Sequence, residues 1–353
     1  MQRNKLALVT GSCGLIGSES VRFLVSKGFL VVGIDNNMRR FFFGEEGSTD
    51  WLKKQLTQLY PKQYIHETID IRDEQKIENL FKKYPFNLII HTAAQPSHDW
   101  AGKHPLIDFS INAYGTMILL EKYRLYCPKA VFLFTSSSKV YGNTPNILPL
   151  VEQEKRYDLP QKHRYYNGID EQMTIDNSLH SIYGASKVAA DIMVQEYGKY
   201  FNLNTGVFRG NCMTGSDHSG TMLHGFLSYL VMCVRDGKKY TIFGYQGKQV
   251  RDNIHAYDFV NALYLYYKNP QKGEVYNLGG SRELSVSILE AIELTEKICG
   301  KKAFYEIRNN PRRGDHIWFI SNNDKFIKNY PNWKISYSID MIIRDIVNKA
   351  KIN

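Results

Sequence analysis

Five cysteines, Cys13, Cys127, Cys212, Cys233 and Cys299, are scattered singly along the chain with no C-x-x-C pair. Their spacing suggests neither a zinc site nor a disulfide framework, and it fits a reducing, cytoplasmic setting. No apolar run approaches the roughly 20 residues that cross a bilayer, so no membrane helix is expected. The opening MQRNKLALVTGS has basic residues before a short apolar run, but that run leads into a glycine turn and not a small-residue cleavage site. It reads as a strand. Internal repeats, low-complexity tracts and flexible linkers are also missing. Lysine and arginine exceed the acidic residues to give a net charge of +10, yet they form no stripe. Anionic small molecules explain that excess better than nucleic acid does.

What is present points to an α/β protein. At 353 residues, 43% of them hydrophobic and 23% charged, the chain has the size and composition of one large or two closely coupled globular domains. Short apolar runs (KLALVTG, FLVVGID, NLIIHTAA, AVFLFTSSS, NTGVFRG) alternate with helix-length segments over the first 210 residues. That alternation predicts βαβ units and a Rossmann-like, doubly wound parallel sheet. Helices are expected at Leu15 to Lys27, Glu74 to Lys83, Asn112 to Tyr126 and Tyr183 to Phe201. VRDNIHAYDFVNALYLYY reads as a turn followed by an apolar helix, and EVYNLGG as a further buried strand returning to the sheet. On this reading residues 1–210 with 250–280 form the first domain. Residues 211–249 with 281–353 form a smaller α/β lobe over the carboxyl ends of the strands, where ligands of open sheets bind.

Directly after the first strand, GSCGLIG places Gly11, Gly14 and Gly17 at a strand-to-helix turn. Glycine lets the backbone turn tightly there and approach a pyrophosphate, which the helix N-terminus then meets with N–H donors. A glycine-rich turn without a ligand is the plainer alternative. The second strand ends at Asp35, 18 residues beyond Gly17, where a carboxylate accepts ribose hydroxyls and repels a 2′-phosphate. NAD is thereby favoured over NADP, although Arg39 and Arg40 stand close enough to hold a phosphate. SIYGASK sets Tyr183 and Lys187 four residues apart on one helix face, a pairing suited to making a phenolate base. Tyr264 and Lys268 repeat the spacing in a helix read as structural, so the pairing alone does not decide the chemistry.

The ordered set of glycine turn, acidic strand end, serine-rich strand end TSSSKVYG and Tyr-x-x-x-Lys resembles the extended short-chain dehydrogenase/reductase superfamily, which includes nucleotide-sugar epimerases and dehydratases. The resemblance covers nearly the whole chain. It implies bound NAD, Tyr183 as base, Lys187 on the nicotinamide ribose and Ser137 as the hydroxyl partner. Cofactor contacts are implied at Leu15, Ile16, Asn36, Arg39, Asp70, Ile71, Ala93, Ala94, Gln95, Asn112 and Ser136. A homodimer or homotetramer is implied too, built on the helices Asn112 to Tyr126 and Tyr183 to Phe201.

Dehydratases of this superfamily follow their hydroxyl with an Asp-Glu pair, which serves as acid and base for removing water. Here Ser138 and Lys139 stand there, so oxidation and re-reduction without elimination is expected. Lys139 is otherwise a strand-end cation. KVYG, NGIDEQMTIDNSLHSIYGASKVAAD, VFRGNCMTG and GKQVRDNIHAYD resemble more closely the branch of CDP-paratose 2-epimerases. That branch implies a nucleotide-sugar substrate inverted at C2, with Arg251 and Arg313 on the diphosphate, or else in surface ion pairs. Arg209 and Asn211 are expected near the substrate or capping a strand, and His98 against the sugar or in a loop. Inversion at C4 of a UDP-sugar, or a non-catalytic NAD-binding sensor, are the rival functions; an intact Ser137, Tyr183 and Lys187 set argues against the sensor. The aromatic run FFFG at 41–44 is expected to pack on the adenosine end or the lower lobe and not on a membrane.

Overall fold

The computed structural model describes residues 5–349; residues 1–4 and 350–353, which the expected segments include, lie outside it. Seven strands form the central sheet: β1 (Lys5–Thr10), β2 (Phe29–Ile34), β3 (Tyr64–Glu67), β4 (Leu88–His91), β5 (Val131–Ser137), β6 (Asn204–Gly210) and β7 (Glu274–Leu278). All are parallel, in the order β7-β6-β5-β4-β1-β2-β3. Their apolar residues are buried on both faces, because helices cover each side of a parallel sheet. One core packs the first helix, Leu15–Ser26, and the helix Ala256–Lys268 through Phe23, Phe259 and Leu263. The other packs Ile77, Leu119 and Val194 against the opposite face. The chain runs outward from β1 to β3 and then returns to β4 beside β1, which opens a crevice at the carboxyl ends of those two strands.

Over that crevice sits a second layer. Val250–His255 pairs with Ser285–Ser287, Trp318–Phe319 and Cys212–Thr214. The segment VRDNIH, read as a turn, is therefore a strand. Its polar residues misled the reading because each is buried and hydrogen-bonded to a distant or neighbouring segment: Arg251 donates to the Val250 carbonyl, Asp252 accepts from the backbone N–H groups of Ser281 and Ser321, and Asn253 donates to the Leu284 carbonyl. Lys239–Phe243 pairs with Phe304–Arg308 nearby. Three helices, Phe226–Asp236, Ile288–Cys299 and Ile339–Asn348, pack around Leu230, Ile242, Ile292 and Ile342. Among the described residues no helix is long and apolar enough to cross a membrane.

The helix expected from Asn112 begins earlier. A helical run starts at Pro105, passes through a π-helical turn at Ser110–Tyr114 and continues as Gly115–Tyr126. The wider turn holds Asn112 so that its amide spans the loop after β4, accepting from Gln95 N at 2.9 Å and donating to the Gln95 carbonyl at 3.0 Å.

Candidate active site

The first helix starts at Gly14 with no side-chain cap, so its leading N–H groups stay open to a ligand. Gly11 holds φ +64, and a Cβ there would stand 2.8 Å from the Ala93 nitrogen; a Cβ on Gly17 would stand 2.0 Å from the Gly11 carbonyl oxygen. Only glycine permits this approach of turn, helix and β4 loop. Asp35 follows β2, its carboxylate accepting from the Cys13 and Asn37 backbone N–H groups at 3.0 and 2.8 Å. Burial raises its pKa while those two donors oppose the rise. Asn36 donates to Asp70 Oδ2 at 3.1 Å, and Arg72 grips both oxygens of that carboxylate, at 3.0 and 2.7 Å. Gly11, Gly14, Leu15, Ile16, Asp35, Asn36, Arg39, Asp70, Ile71, Ala93, Ala94 and Ser136 all line one long cavity. An open helix N-terminus, a glycine cradle and a carboxylate at the next strand end fit an NAD-type dinucleotide.

The same cavity continues to the carboxyl end of β5. The helix Ile182–Tyr200 is capped by the Ser181 hydroxyl, which accepts from Gly184 N at 3.0 Å, and its first turns aim Tyr183 and Lys187 at Ser137 and Thr135. Lys187 Nζ donates to the Thr135 carbonyl at 2.8 Å and sits 4.1 Å from the Phe134 ring centroid. Burial lowers the ammonium to about 7. Burial likewise pushes the Tyr183 phenol up to about 12, with hydrogen bonding to Ser137 working the other way. His98 packs edge-on against Tyr183 with ring centroids 4.9 Å apart, its Nδ1 2.6 Å from the Ser181 hydroxyl. Burial first, and then Lys139, lower this imidazole to about 3, so it is neutral at pH 7.

Beyond the tyrosine the wall turns cationic. Lys139 Nζ donates to the Gly314 carbonyl at 3.1 Å and lies 3.6 Å from Asp315; Arg251 pairs with the same carboxylate at 2.5 Å and donates to the His316 carbonyl. Burial alone would raise Asp315, but Arg251, Lys139 and Arg312 hold it well below the usual carboxylate range. Burial lowers Lys139 to about 8. Ser138 donates to Asn211 at 3.0 Å, and Asn211 in turn donates to Asp252 at 2.6 Å. His98, Ser137, Ser138, Lys139, Asn211, Arg251 and the exposed Arg313 all reach the cavity.

Four expected contacts do not reach that wall. Arg209 is 5% exposed and spends its guanidinium on Asp191 and the Tyr141 hydroxyl, inside the fold. Gln95 and Asn112 are buried behind the wall, where both donate to Asp108 and Asn112 also donates to Ser186, one residue before Lys187. Gly17 packs the helix on the turn. The second Tyr-x-x-x-Lys pair lies away from the cavity: Tyr264 packs on Phe23, with ring centroids 5.4 Å apart. In FFFG, Phe42 is buried against Trp100 and Phe43 stacks on His224, which lies between β6 and the helix Phe226–Asp236. Sequence reasoning missed His218, His224, Tyr240, Phe243, Arg312 and Asp315 on the cavity wall. Only Arg312 and Asp315, flanking the chosen Arg313, carried a local signal.

The model of the NAD dependent epimerase/dehydratase family matches residues 7–279. The chain is 35% identical over 299 residues to the CDP-paratose 2-epimerase of Salmonella typhi, covering 83% of this chain and 84% of that one. It is 28% identical to human UDP-glucose 4-epimerase over 98% of this chain and 96% of that one. Among solved structures, the Thermotoga maritima UDP-glucose 4-epimerase with UDP-glucose superposes with a TM-score of 0.74 at 25% identity, covering 97% of each chain. The Thermus thermophilus UDP-glucose 4-epimerase complex with NAD shares the fold with a TM-score of 0.77 at 23% identity, again covering 97% of each.

Proposed function

This chain belongs to the NAD dependent epimerase/dehydratase family, NAD is its cofactor, and from that premise we propose that it inverts C2 of a CDP-linked deoxyhexose such as CDP-paratose. The observation that carries the reading is the convergence of Ser137, Tyr183 and Lys187 on a cavity whose next two positions, Ser138 and Lys139, bring no carboxylate. Elimination of water lacks its acid and base there, while transfer of one hydroxyl proton does not. The identity of 35% to the 2-epimerase against 28% to the 4-epimerase supports C2.

NAD, when bound, would supply the hydride acceptor and donor for oxidation and re-reduction of the sugar carbon. The glycine turn and Asp35 would seat its pyrophosphate and adenosine ribose, and Lys187 its nicotinamide ribose. Burial raises the Tyr183 phenol, so its work as base requires the positive charges of Lys187 and the bound nicotinamide ring to favour the phenolate; in that form Tyr183 Oη would accept the proton of the reacting hydroxyl and later give it back. Ser137 donates to the same sugar oxygen and holds it in line. Arg251, Arg313 and Lys139 offer the diphosphate its cations, with arginine forks suited to phosphate oxygens. Equal mass of substrate and product follows.

A panel of CDP-, UDP- and GDP-hexoses followed by NMR tests the reading. New C2-inverted resonances from a CDP-deoxyhexose are expected; inversion confined to C4 of a UDP-sugar would replace this reading with the second one, which the near-complete coverage of the human 4-epimerase favours. The helices Gly115–Tyr126 and Ile182–Tyr200 leave Leu125, Ile192 and Tyr200 exposed, which supports a homodimer or homotetramer packed through them. Sedimentation should then give twice or four times the monomer mass.

A further inference from the structure

Residues 215–225 cross the cavity as a strap tied at three places. Asp217 pairs with Arg22 of the first helix at 2.9 Å and with Lys349 at 2.7 Å. The Ser219 hydroxyl accepts from Trp51 Nε1 at 3.3 Å, and its carbonyl accepts from Arg39 Nη2 at 2.7 Å. The Leu223 carbonyl accepts from Arg312 at 2.8 Å. This one segment thus touches the glycine-turn helix, the helices Met38–Phe43 and Asp50–Leu59 that follow β2, and Arg312 on the cationic wall.

Arg39 is the unusual member. Its guanidinium is packed on the Phe43 ring at 4.9 Å and forms no ion pair among the described residues, Asp35 acting on it only at longer range. Half-buried on the cavity wall, with no counter-ion in contact among the described residues, the guanidinium keeps its charge available to an anion that enters the cavity. Beside it, His224 Nδ1 lies 3.4 Å from Arg39 Nη1 and 3.3 Å from His218 Nε2. A guanidinium only donates, so Nδ1 is the acceptor and the proton of the neutral ring sits on Nε2. Nε2 has no protein partner among the described residues, and the ring lines the cavity. His218, 8% exposed and on the same wall, keeps a buried Nδ1 with no partner.

We propose that Arg39 and His224, backed by His218, form a diphosphate-binding clasp on this strap, the guanidinium supplying charge and His224 Nε2–H a directed donor to a phosphate oxygen. Cofactor and nucleotide-sugar both carry a diphosphate, and the clasp rests on the proposed function only in that respect.

His224→Phe keeps the stack on Phe43 but removes donor and acceptor; His224→Gln keeps an acceptor for Arg39 and an N–H to donate. Two binding measurements on the purified full-length protein separate the sources. Exchange of bound NAD with isotope-labelled NAD reads the cofactor diphosphate, and calorimetry of CDP and UDP against cytidine and uridine reads the substrate diphosphate. His224→Phe is expected to change one of them about tenfold, the worth of one such hydrogen bond, with His224→Gln restoring most of it. Faster NAD exchange assigns the clasp to the cofactor; weaker CDP and UDP binding with cytidine and uridine unaffected assigns it to the substrate. Wild-type values in both, at an unchanged melting temperature, overturn the proposal, as does an equal loss for the nucleosides. Should His224→Phe melt early, Arg39→Gln is read in the same way, with the same loss expected and wild-type values again overturning the clasp. Because no turnover is measured, failure of the epimerase reading leaves these results standing.

Discussion

His91, at the end of β4, is fully buried beneath the cofactor wall, and its hydrogen bonds fix both its tautomer and its charge. The Thr116 hydroxyl donates to the Asn112 carbonyl at 2.7 Å, so it accepts from His91 Nε2 at 2.9 Å. Nδ1 is then the acceptor of the Thr10 hydroxyl at 2.7 Å, while the Thr10 oxygen accepts from the Thr92 and Ala93 backbone N–H groups. A second ring proton has no place in this chain. Burial, followed by the Lys187 charge, lowers the imidazole from 6.5 to about 3. The folded value lies below the unfolded one, so the stabilisation is complete above pH 6.5 and is lost as pH falls toward 3. Two pH units below the unfolded value, the loss is about 2.7 kcal/mol at ~1.36 kcal/mol per unit. His91→Phe keeps the ring contact with Phe134 but leaves the Thr10 hydroxyl without its acceptor, costing about 1–3 kcal/mol at neutral pH. Because the variant escapes the acid penalty, the gap in urea-unfolding free energy between the two proteins should close at about pH 4.5. A gap of the same size at both pH values would refute the neutral, tautomer-locked histidine.

Other substitutions address the site itself. Tyr183→Phe removes the proton acceptor and little volume, so turnover should fall about 10²–10⁴-fold while fold and NAD content persist; wild-type-like turnover in the folded variant would sink the assignment of the base. Asp35→Ala removes the ribose-facing carboxylate and should weaken NAD more than NADP, and unchanged NAD content in the purified variant would show that Asp35 does not hold the ribose.

The parts of this protein that were legible in the sequence are those whose physics is local. LALVT and FLVVGI are near-continuous apolar runs because helices bury both faces of their sheet, and the glycine turn between them needs only its own backbone to be recognised. Tyr183 and Lys187 follow from helical spacing. VRDNIH failed because strands whose charged side chains are buried and paired carry no apolar period; their partners Asp315, Ser281 and Leu284 come from distant segments. Arg209 looked like a ligand contact at a strand end, but its partner Asp191 sits one turn beyond Lys187 on the same helix, fully buried and deeper than the cavity wall, and draws the guanidinium inward. The cationic cluster around Asp315 was half visible. Lys139 and Gly314 are 175 residues apart, so no spacing rule joins them. β3, four residues at a sheet edge, was too short to register as a strand.

The proposed chemistry is oxidation and re-reduction at one carbon with no elimination, and isotope tracing tests it most directly. CDP-paratose carrying deuterium at C2, turned over by the holoenzyme in ordinary water, should keep its deuterium at C2 through inversion. Unlabelled substrate turned over in deuterium oxide should leave protium at the inverted carbon. Substrate and product should have equal mass and interconvert from either side. Solvent deuterium at the inverted carbon, or loss of water to a 4-keto-6-deoxy sugar, would contradict the role assigned to Ser137, Tyr183 and Lys187.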